Sequence, residues 1–446
     1  MKKGNGFTLI ELLAVIVILA VILVISIPRI LDVIEESKKD SIKSSARMII
    51  NSAEKKNMIY KVNGSTEEVT CDNSVKLSKE DYESCKITID EEGKATINLV
   101  GKGKFDGYKC IGTNDNLACG QVESITLPLN GKKYIEKLYN NELSRIENGL
   151  KKDNTEDQNI RYYGSDPNNY VSFNNELWRI IGVFGNNVKL VRSESLGNLS
   201  WDSSASSVNN GWGVNEWSQS ALKNYLNTMY YGGTSVTCYN GQNKKEVTCP
   251  TGTIDETAKT LIDNYTWNTG AITWNDATIV NQEAGELKTI PFYNAERGSV
   301  IGKICTSDSD CNDSVERTTK WTGYIGLPYV TDWAYASSES VCETNMWDGD
   351  IDTTHGRFNM TCKNNNWMNY SKETSTYTYA YSMSPCTYSF SDGASHVWNV
   401  GNMGYVSFGS AAYSYAVVPS IYLKSNVLIE NGTGTSSDPY ILKAGA

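Results

Sequence analysis

The opening stretch MKKGNGFTLIELLAVIVILAVILVISIPRI limits what the whole chain can be. Lys2, Lys3 and Gly6 precede an apolar run from Phe7 to Ile27 in which Glu11 is the only ionisable residue. As a helix that run would extend about 31 Å, the hydrocarbon thickness of a bilayer. A basic head before such a segment predicts that residues 1–6 stay in the cytoplasm while the rest is exported. A carboxylate at the membrane centre costs about 2.5–3.5 kcal/mol on insertion scales, so Glu11 demands a cation. The nearest source is a free amine created by cutting before Phe7. An ordinary secretory signal fits poorly, because the apolar run is too long and no A-x-A-like site follows it.

Gly6, Phe7, Thr8, Leu9, Ile10 and Glu11, the apolar run behind them and Pro28 resemble the type IV pilin family and its relatives, the pseudopilins of secretion and DNA-uptake machines. The resemblance implies that a membrane prepilin peptidase cuts after Gly6 and that Phe7 becomes the methylated N-terminus. It also implies that Glu11 pairs with the amine of a neighbouring subunit during assembly. Other pilin subunits, the peptidase and the cytoplasmic membrane are then the expected partners. The expected location is the membrane for the precursor and the cell surface, in a fibre, for the assembled product.

Beyond Pro28 the apolar positions Ile27, Leu31, Ile34, Ile42, Ala46, Ile49 and Ala53 recur at helical spacing, interrupted by Lys38, and Val62-Asn63-Gly64 ends the pattern. The expected assembly helix spans residues 7–58, behind a leader at 1–6. Removing Lys2 and Lys3 takes the formal charge of the 446-residue chain from -10 to -12. An acidic chain without a basic run speaks against nucleic acid as a partner. The 27 tyrosines and 11 tryptophans, together with Ser, Asn and Gly, are residue types that binding surfaces favour.

Eleven cysteines in an exported chain read as disulfides. They fall in close pairs: Cys71 and Cys85, Cys110 and Cys119, Cys238 and Cys249, Cys305 and Cys311, Cys342 and Cys362. Cys386 is left over, and spacing alone does not fix the connectivity. A zinc site is disfavoured, since no C-x-x-C occurs and His355 and His396 do not complete a ligand set.

Residues 59–123 read as a small β head, with a hairpin or short meander around Gly101 and Gly103. Residues 124–159 are polar and charged and read as a linker with a short helix inside it, so a domain boundary is expected near residue 150. From residue 160 to 446 a large unit follows. Tyr170 to Phe173, Leu177 to Phe184 and Val188 to Arg192 read as strands, with Gly185-Asn186-Asn187 as a turn. Asn215 to Asn227 reads as a helix presenting Trp217, Ala221, Leu222 and Tyr225 on one face, and Ile254 to Ile262 as a second helix. The fold class expected is α+β.

Within the large unit, RYYGSDPNNYVSFNNELWRIIGVF, Trp201-Asp202, Asn215 to Gln219, GLPYVTDWAYASS, SMSP, IYLKSNV and GTGTSSDPY resemble a domain of surface proteins from Gram-positive gut-type bacteria. That domain is C-type-lectin-like in the broad sense shared with targets of diversity-generating retroelements and with formylglycine-generating enzymes. Val418 departs from the pattern, standing where an arginine usually precedes the proline. The resemblance implies a ligand face in the C-terminal part. There Tyr388, Asp392, His396, Trp398, Asn399, Asn402, Tyr405, Tyr413 and Tyr415 combine rigid aromatic area with adaptable hydrogen bonding. The opposing reading is that half of these point inward, as the apolar positions Val397, Val400, Val406 and Phe408 indicate.

Asp308, Asp310 and Asp313 on one loop, and Asp348, Asp350 and Asp352 on another, could hold calcium, although neither has EF-hand spacing. Trp274-Asn275-Asp276 spells a calcium motif of lectins far from the position where it works, and reads as chance. No G-x-S-x-G, H-E-x-x-H or phosphate-binding glycine loop occurs, and Cys362 and Cys386 lack the close spacing of a formylglycine-generating pair. The expectation is a non-enzymatic pilin-like subunit, minor or at a fibre tip, that displays a module for a surface protein or glycan. A pseudopilin of a secretion or DNA-uptake machine is the alternative.

Overall fold

The computed structural model describes residues 9–75, 78, 80–90, 92–274, 276–281, 283–298, 315–347, 351–352, 356–357, 362, 365–369, 379–387, 395–401, 404 and 406–445. The architecture is α+β. Contacts divide the chain into two units, residues 1–124 with 141–147, and residues 125–140 with 148–446.

The first unit is organised on one continuous helix, α1 (Leu9–Asn63). Its first half is apolar on every side and uncovered: Leu9 is 82% and Val24 73% exposed. Such a segment is stable in hydrocarbon and costly in water. In the second half the pattern becomes one-sided, and Ile42, Ala46, Ile49, Ile50 and Ala53 are completely buried. Ile27, Leu31 and Ile34, expected to continue that stripe, are 45–54% exposed, because the sheet that covers the helix begins only near Ile42. Gly64 stops the helix with φ at +65°, a left-handed cap that glycine adopts without a Cβ penalty.

Behind a single helical turn α2 (Cys71–Ser74) come β1 (Tyr82–Ile89), β2 (Ala95–Gly101), β3 (Tyr108–Gly112) and β4 (Leu117–Gln121), an antiparallel sheet in chain order. Alternation in β2 turns Ala95, Ile97 and Leu99 onto α1. Cys71–Cys85 and Cys110–Cys119 are disulfides, the second between directly paired residues of β3 and β4.

The stretch 124–159 is not a linker. It forms β5 (Leu129–Asn130), α3 (Gly131–Asn140), α4 (Glu142–Glu147) and β6 (Leu150–Lys152). Tyr134, Ile135 and Leu138 of α3 are buried in the core of the second unit, while α4 packs on β3 and β4 of the first, where Glu147 pairs with Lys109. The charged residues of α3 and α4 occupy the outer sides of short amphipathic helices, whereas Lys151 and Lys152 lie on β6 and Asp153 is buried beyond it.

The second unit continues with β7 (Ile160–Tyr162), β8 (Tyr170–Phe173), β9 (Glu176–Phe184) and β10 (Asn187–Arg192). β9 and β10 make a hairpin whose Gly185 takes φ +59°. The main sheet runs Ile325–Gly326, Ser420–Tyr422, β10, β9, β8, Tyr440–Lys443, Leu428–Asn431, β5, and β7 pairs with β6 and with β9 beyond β8. The last strands of the chain therefore lie between β8 and the first strand of the unit.

A second sheet contains Asn198–Leu199, Tyr415–Ala416, Tyr379–Thr387, His396–Gly401 and Val406–Ser410 in that order. The predicted helix at 215–227 forms as a short turn at Trp217–Gln219, then Ala221–Asn224 and a wider π turn to Tyr230. Cys238–Cys249 and Cys342–Cys362 are disulfides. Cys386 is buried, and Cys305 and Cys311 lie outside the described residues. Trp178, Trp201, Trp217, Trp267, Trp333, Trp347 and Trp398 are buried to 2% or less. The tryptophan content expected at a binding surface is mostly core.

Candidate functional site

The C-terminal stretch chosen from the sequence divides sharply. Tyr388, Asp392, Asn402 and Tyr405 lie outside the described residues. Trp398 is fully buried; it packs against Phe292, Phe408 and Trp274, and its Nε1 donates to the Ile272 carbonyl at 3.3 Å. Asn399, 1% exposed, turns its Nδ2 toward the Val397 carbonyl at 3.4 Å. Neither side chain belongs to an open face. The strand His396–Gly401 is covered on both sides, so alternating positions do not separate inside from outside. His396 is half-buried, edge-on to Phe408, and its carbonyl accepts from Asn215 Nδ2 at 2.6 Å.

Tyr413 and Tyr415 do reach the surface. Tyr413 is 44% exposed, and Tyr415 is half-buried beside it with ring centres 5.7 Å apart. Two residues that sequence reasoning missed complete the group: Trp212, edge-on to Tyr413 at 5.6 Å, and Tyr379, tilted against Tyr415 at 5.1 Å. The signal that could have found Trp212 is its flanking glycines. Gly211 and Gly213 both hold φ at +82°, and a Cβ on Gly213 would stand 2.6 Å from the Asp202 carbonyl oxygen. Only glycine fits that doubly left-handed path, which carries the indole beside the tyrosines.

The face rests on a fixed base. Buried Tyr381 donates its hydroxyl to the Tyr413 carbonyl at 2.8 Å. Ser410 Oγ donates to the Trp212 carbonyl at 3.0 Å. Asp202 accepts the N–H groups of Val214 at 2.8 Å and Ala221 at 3.0 Å, tying down the chain just past Trp212. Burial lifts the Asp202 carboxyl to about 6, against the pull of those N–H donors. Four aromatic rings on an immobilised base can stack on an apolar or polyhydroxylated ligand at little entropic cost.

Asp276 of the W-N-D sequence accepts from the backbone N–H and hydroxyl of Thr278 at 2.9 and 2.6 Å, a turn-forming role, while Trp274 joins the core. Asp308, Asp310, Asp313, Asp348 and Asp350 lie outside the described residues, as does the side chain of Asp352. Among the described residues no three His, Cys, Asp or Glu side chains converge as a metal set.

The other concentration of ionisable groups is sealed inside the second unit. Arg161 on β7 reaches Asp153 with Nε at 2.6 Å and Asp332 with Nη1 at 2.8 Å, and Lys189 on β10 meets the other oxygen of Asp332 at 2.5 Å. Asp332 stands on the helix Val330–Tyr335. Glu296 lies beside this group, accepting from Thr331 and Ser384 and pairing with Arg297, whose guanidinium stacks 3.4 Å from the Tyr293 ring. Burial raises Glu296 above the usual carboxylate range. Nothing in the sequence singled out Lys189 and Asp332 as a pair, because they are 143 residues apart in the chain, and Asp153, though only eight residues from Arg161, stood in a run that read as a solvated loop.

At the other end, Glu11 falls in the first turn of α1, while Gly6 and Phe7 lie outside the described residues. α1 is long and apolar enough to cross a membrane, and none of its most apolar window is buried. Residues 1–27 match the family model of the prokaryotic N-terminal methylation motif. The leader is therefore of the prepilin type, which supports a membrane-anchored precursor, processing by a prepilin peptidase and assembly as a pilin- or pseudopilin-type subunit. No curated protein and no solved structure gives a significant match to the chain.

Proposed function

We propose that this chain is a minor or tip subunit of a type IV pilus-like fibre, and that its large unit is a non-enzymatic recognition module with a C-type-lectin-like fold. Cleavage after Gly6 would free the amine of Phe7, and Glu11 would pair with that of the neighbouring subunit as the helices stack. The observation that carries the recognition part is the surface group Trp212, Tyr379, Tyr413 and Tyr415 on a base immobilised by Asp202 and Tyr381. Its ligand is a surface glycan or protein that offers flat or apolar area, and adhesion follows from display outside the cell.

The test uses the full chain in detergent against glycan and protein arrays, followed by titration of any ligand found. Trp212→Ala and Tyr413→Ala should each weaken binding by about tenfold or more, the loss of a central aromatic anchor. An array on which the wild-type chain binds nothing, or binding indifferent to both substitutions, contradicts the recognition role at this face. The pseudopilin alternative rests on the same leader and requires no ligand at the aromatic face.

A further inference from the structure

The sealed charge cluster contains one pair with no exposed surface at all. The side chains of Lys189 and Asp332 are both at 0%. Lys189 Nζ lies 2.5 Å from Asp332 Oδ2, one bond from the carboxyl carbon. The ammonium otherwise faces rings: Tyr329, Tyr422, Trp267 and Phe184, with centres 4.2, 5.4, 5.5 and 5.6 Å away. Burial pushes it down to about 8, while Asp332, against the effect of its own burial, is held at about 2 by Lys189 and Arg161; the resting pair is ionic, and the amine becomes a nucleophile only once its proton has moved. Two donors already address the carboxyl. Arg161 Nη1 is 2.8 Å from Oδ1, and the Tyr329 backbone N–H is 2.9 Å from Oδ2. Arg161 therefore addresses the oxygen that would carry the negative charge of a tetrahedral intermediate, and Tyr329 the oxygen that would leave.

The geometry points to a covalent amide between Lys189 Nζ and Asp332 Cγ, formed inside the folded chain with loss of one water. Nζ passes a proton to the Oδ2 it already touches, and its lone pair attacks Cγ. The bond from Cγ to Oδ2 then breaks, and that oxygen departs with a second proton from nitrogen as water. Ammonium and carboxylate become amide and water, so no oxidant, activating group or outside proton is consumed. Oδ1 becomes the amide oxygen and keeps its bond from Arg161.

The charge balance favours this outcome. The cluster of Arg161, Lys189, Asp153 and Asp332 holds two buried cations and two buried anions, and every buried ion carries a desolvation cost. Amide formation removes one of each sign and leaves Arg161 with Asp153, a neutral pair at 2.6 Å. The bond would tie the middle of the main sheet to the helix Val330–Tyr335, across 143 residues of chain. It stands independently of what the aromatic face binds.

The test is mass spectrometry of the full chain purified from membranes, with disulfides reduced and alkylated. The expected result is an intact mass one water below that of the processed sequence, and a tryptic map with a branched peptide joining the Lys189 and Asp332 segments and no cleavage after Lys189. Lys189→Arg should restore the full mass. Full mass in the wild-type chain, or a linear peptide ending at Lys189, overturns the bond and leaves an ion pair. The wild-type measurement decides the matter even if the variant does not fold.

Discussion

Ionising Asp202 sets its backbone hydrogen bonds, from Val214, Ala221 and Ser203, against the loss of water around the carboxylate, and the loss of water wins. Its carboxyl stands at about 6 in the folded chain, above the ordinary unfolded value, because burial disfavours the charge. The folded state then holds the proton more tightly than the unfolded state. The stability this contributes is complete below the unfolded value and is lost as pH rises through about 6. We expect the melting temperature of the wild-type chain to fall, relative to that of Asp202→Asn, as pH is raised from 4 to 7. A constant difference between the two melting curves across that range would contradict the assignment. Residue by residue, the candidate face was half legible. Tyr413 and Tyr415 emerge where a chain of aromatic, glycine and serine residues leads one to look. Trp398 and Asn399 do not, since a strand buried on both sides erases the alternation that separates ligand face from core. Trp212 was hidden because it comes from a turn far earlier in the chain and joins the tyrosines only through tertiary folding.

At the scale of elements, α1 changes character along its length without a break in the helix. Its apolar periodicity predicts one stripe from Ile27 to Ala53, yet only the part from Ile42 meets the sheet. Ile49→Ala should destabilise the first unit by about 2–5 kcal/mol, the cost of emptying a fully buried aliphatic site. Leu31→Ala, at a position 54% exposed, should leave that unit's unfolding midpoint within about 0.5 kcal/mol of wild type. Urea titration of the full chain in detergent, followed by circular dichroism, separates the two. Equal effects would mean that Leu31 is covered by the same sheet. The helix and the β9–β10 hairpin could be read from sequence because their signals are local: periodicity in one, a glycine turn in the other. The segment 124–159 could not, since the partners that turn its short polar helices into packed elements stand far away in sequence, among them Val427 and Tyr440 for α3.

For the whole molecule, the prepilin-type leader marks the chain for processing and membrane anchoring, and the second unit carries the exposed aromatic face. Between these lies a fold whose closure depends on its last residues. The strand Tyr440–Lys443 runs parallel to β8 on one side and pairs with Leu428–Asn431 on the other, which in turn pairs with β5. Chains ending before Leu428 should therefore lack a protease-resistant second unit while keeping the first, an outcome that limited proteolysis of expressed fragments would reveal. A stable second unit in such a fragment would show that the final strands are dispensable.

The same placement has a temporal meaning. About three hundred residues separate the first and last strands of the main sheet, so the unit has no finished state until its last strand has been made. The sheet would thus stay open until the strand Tyr440–Lys443 docks beside β8, the latch on which its closure waits.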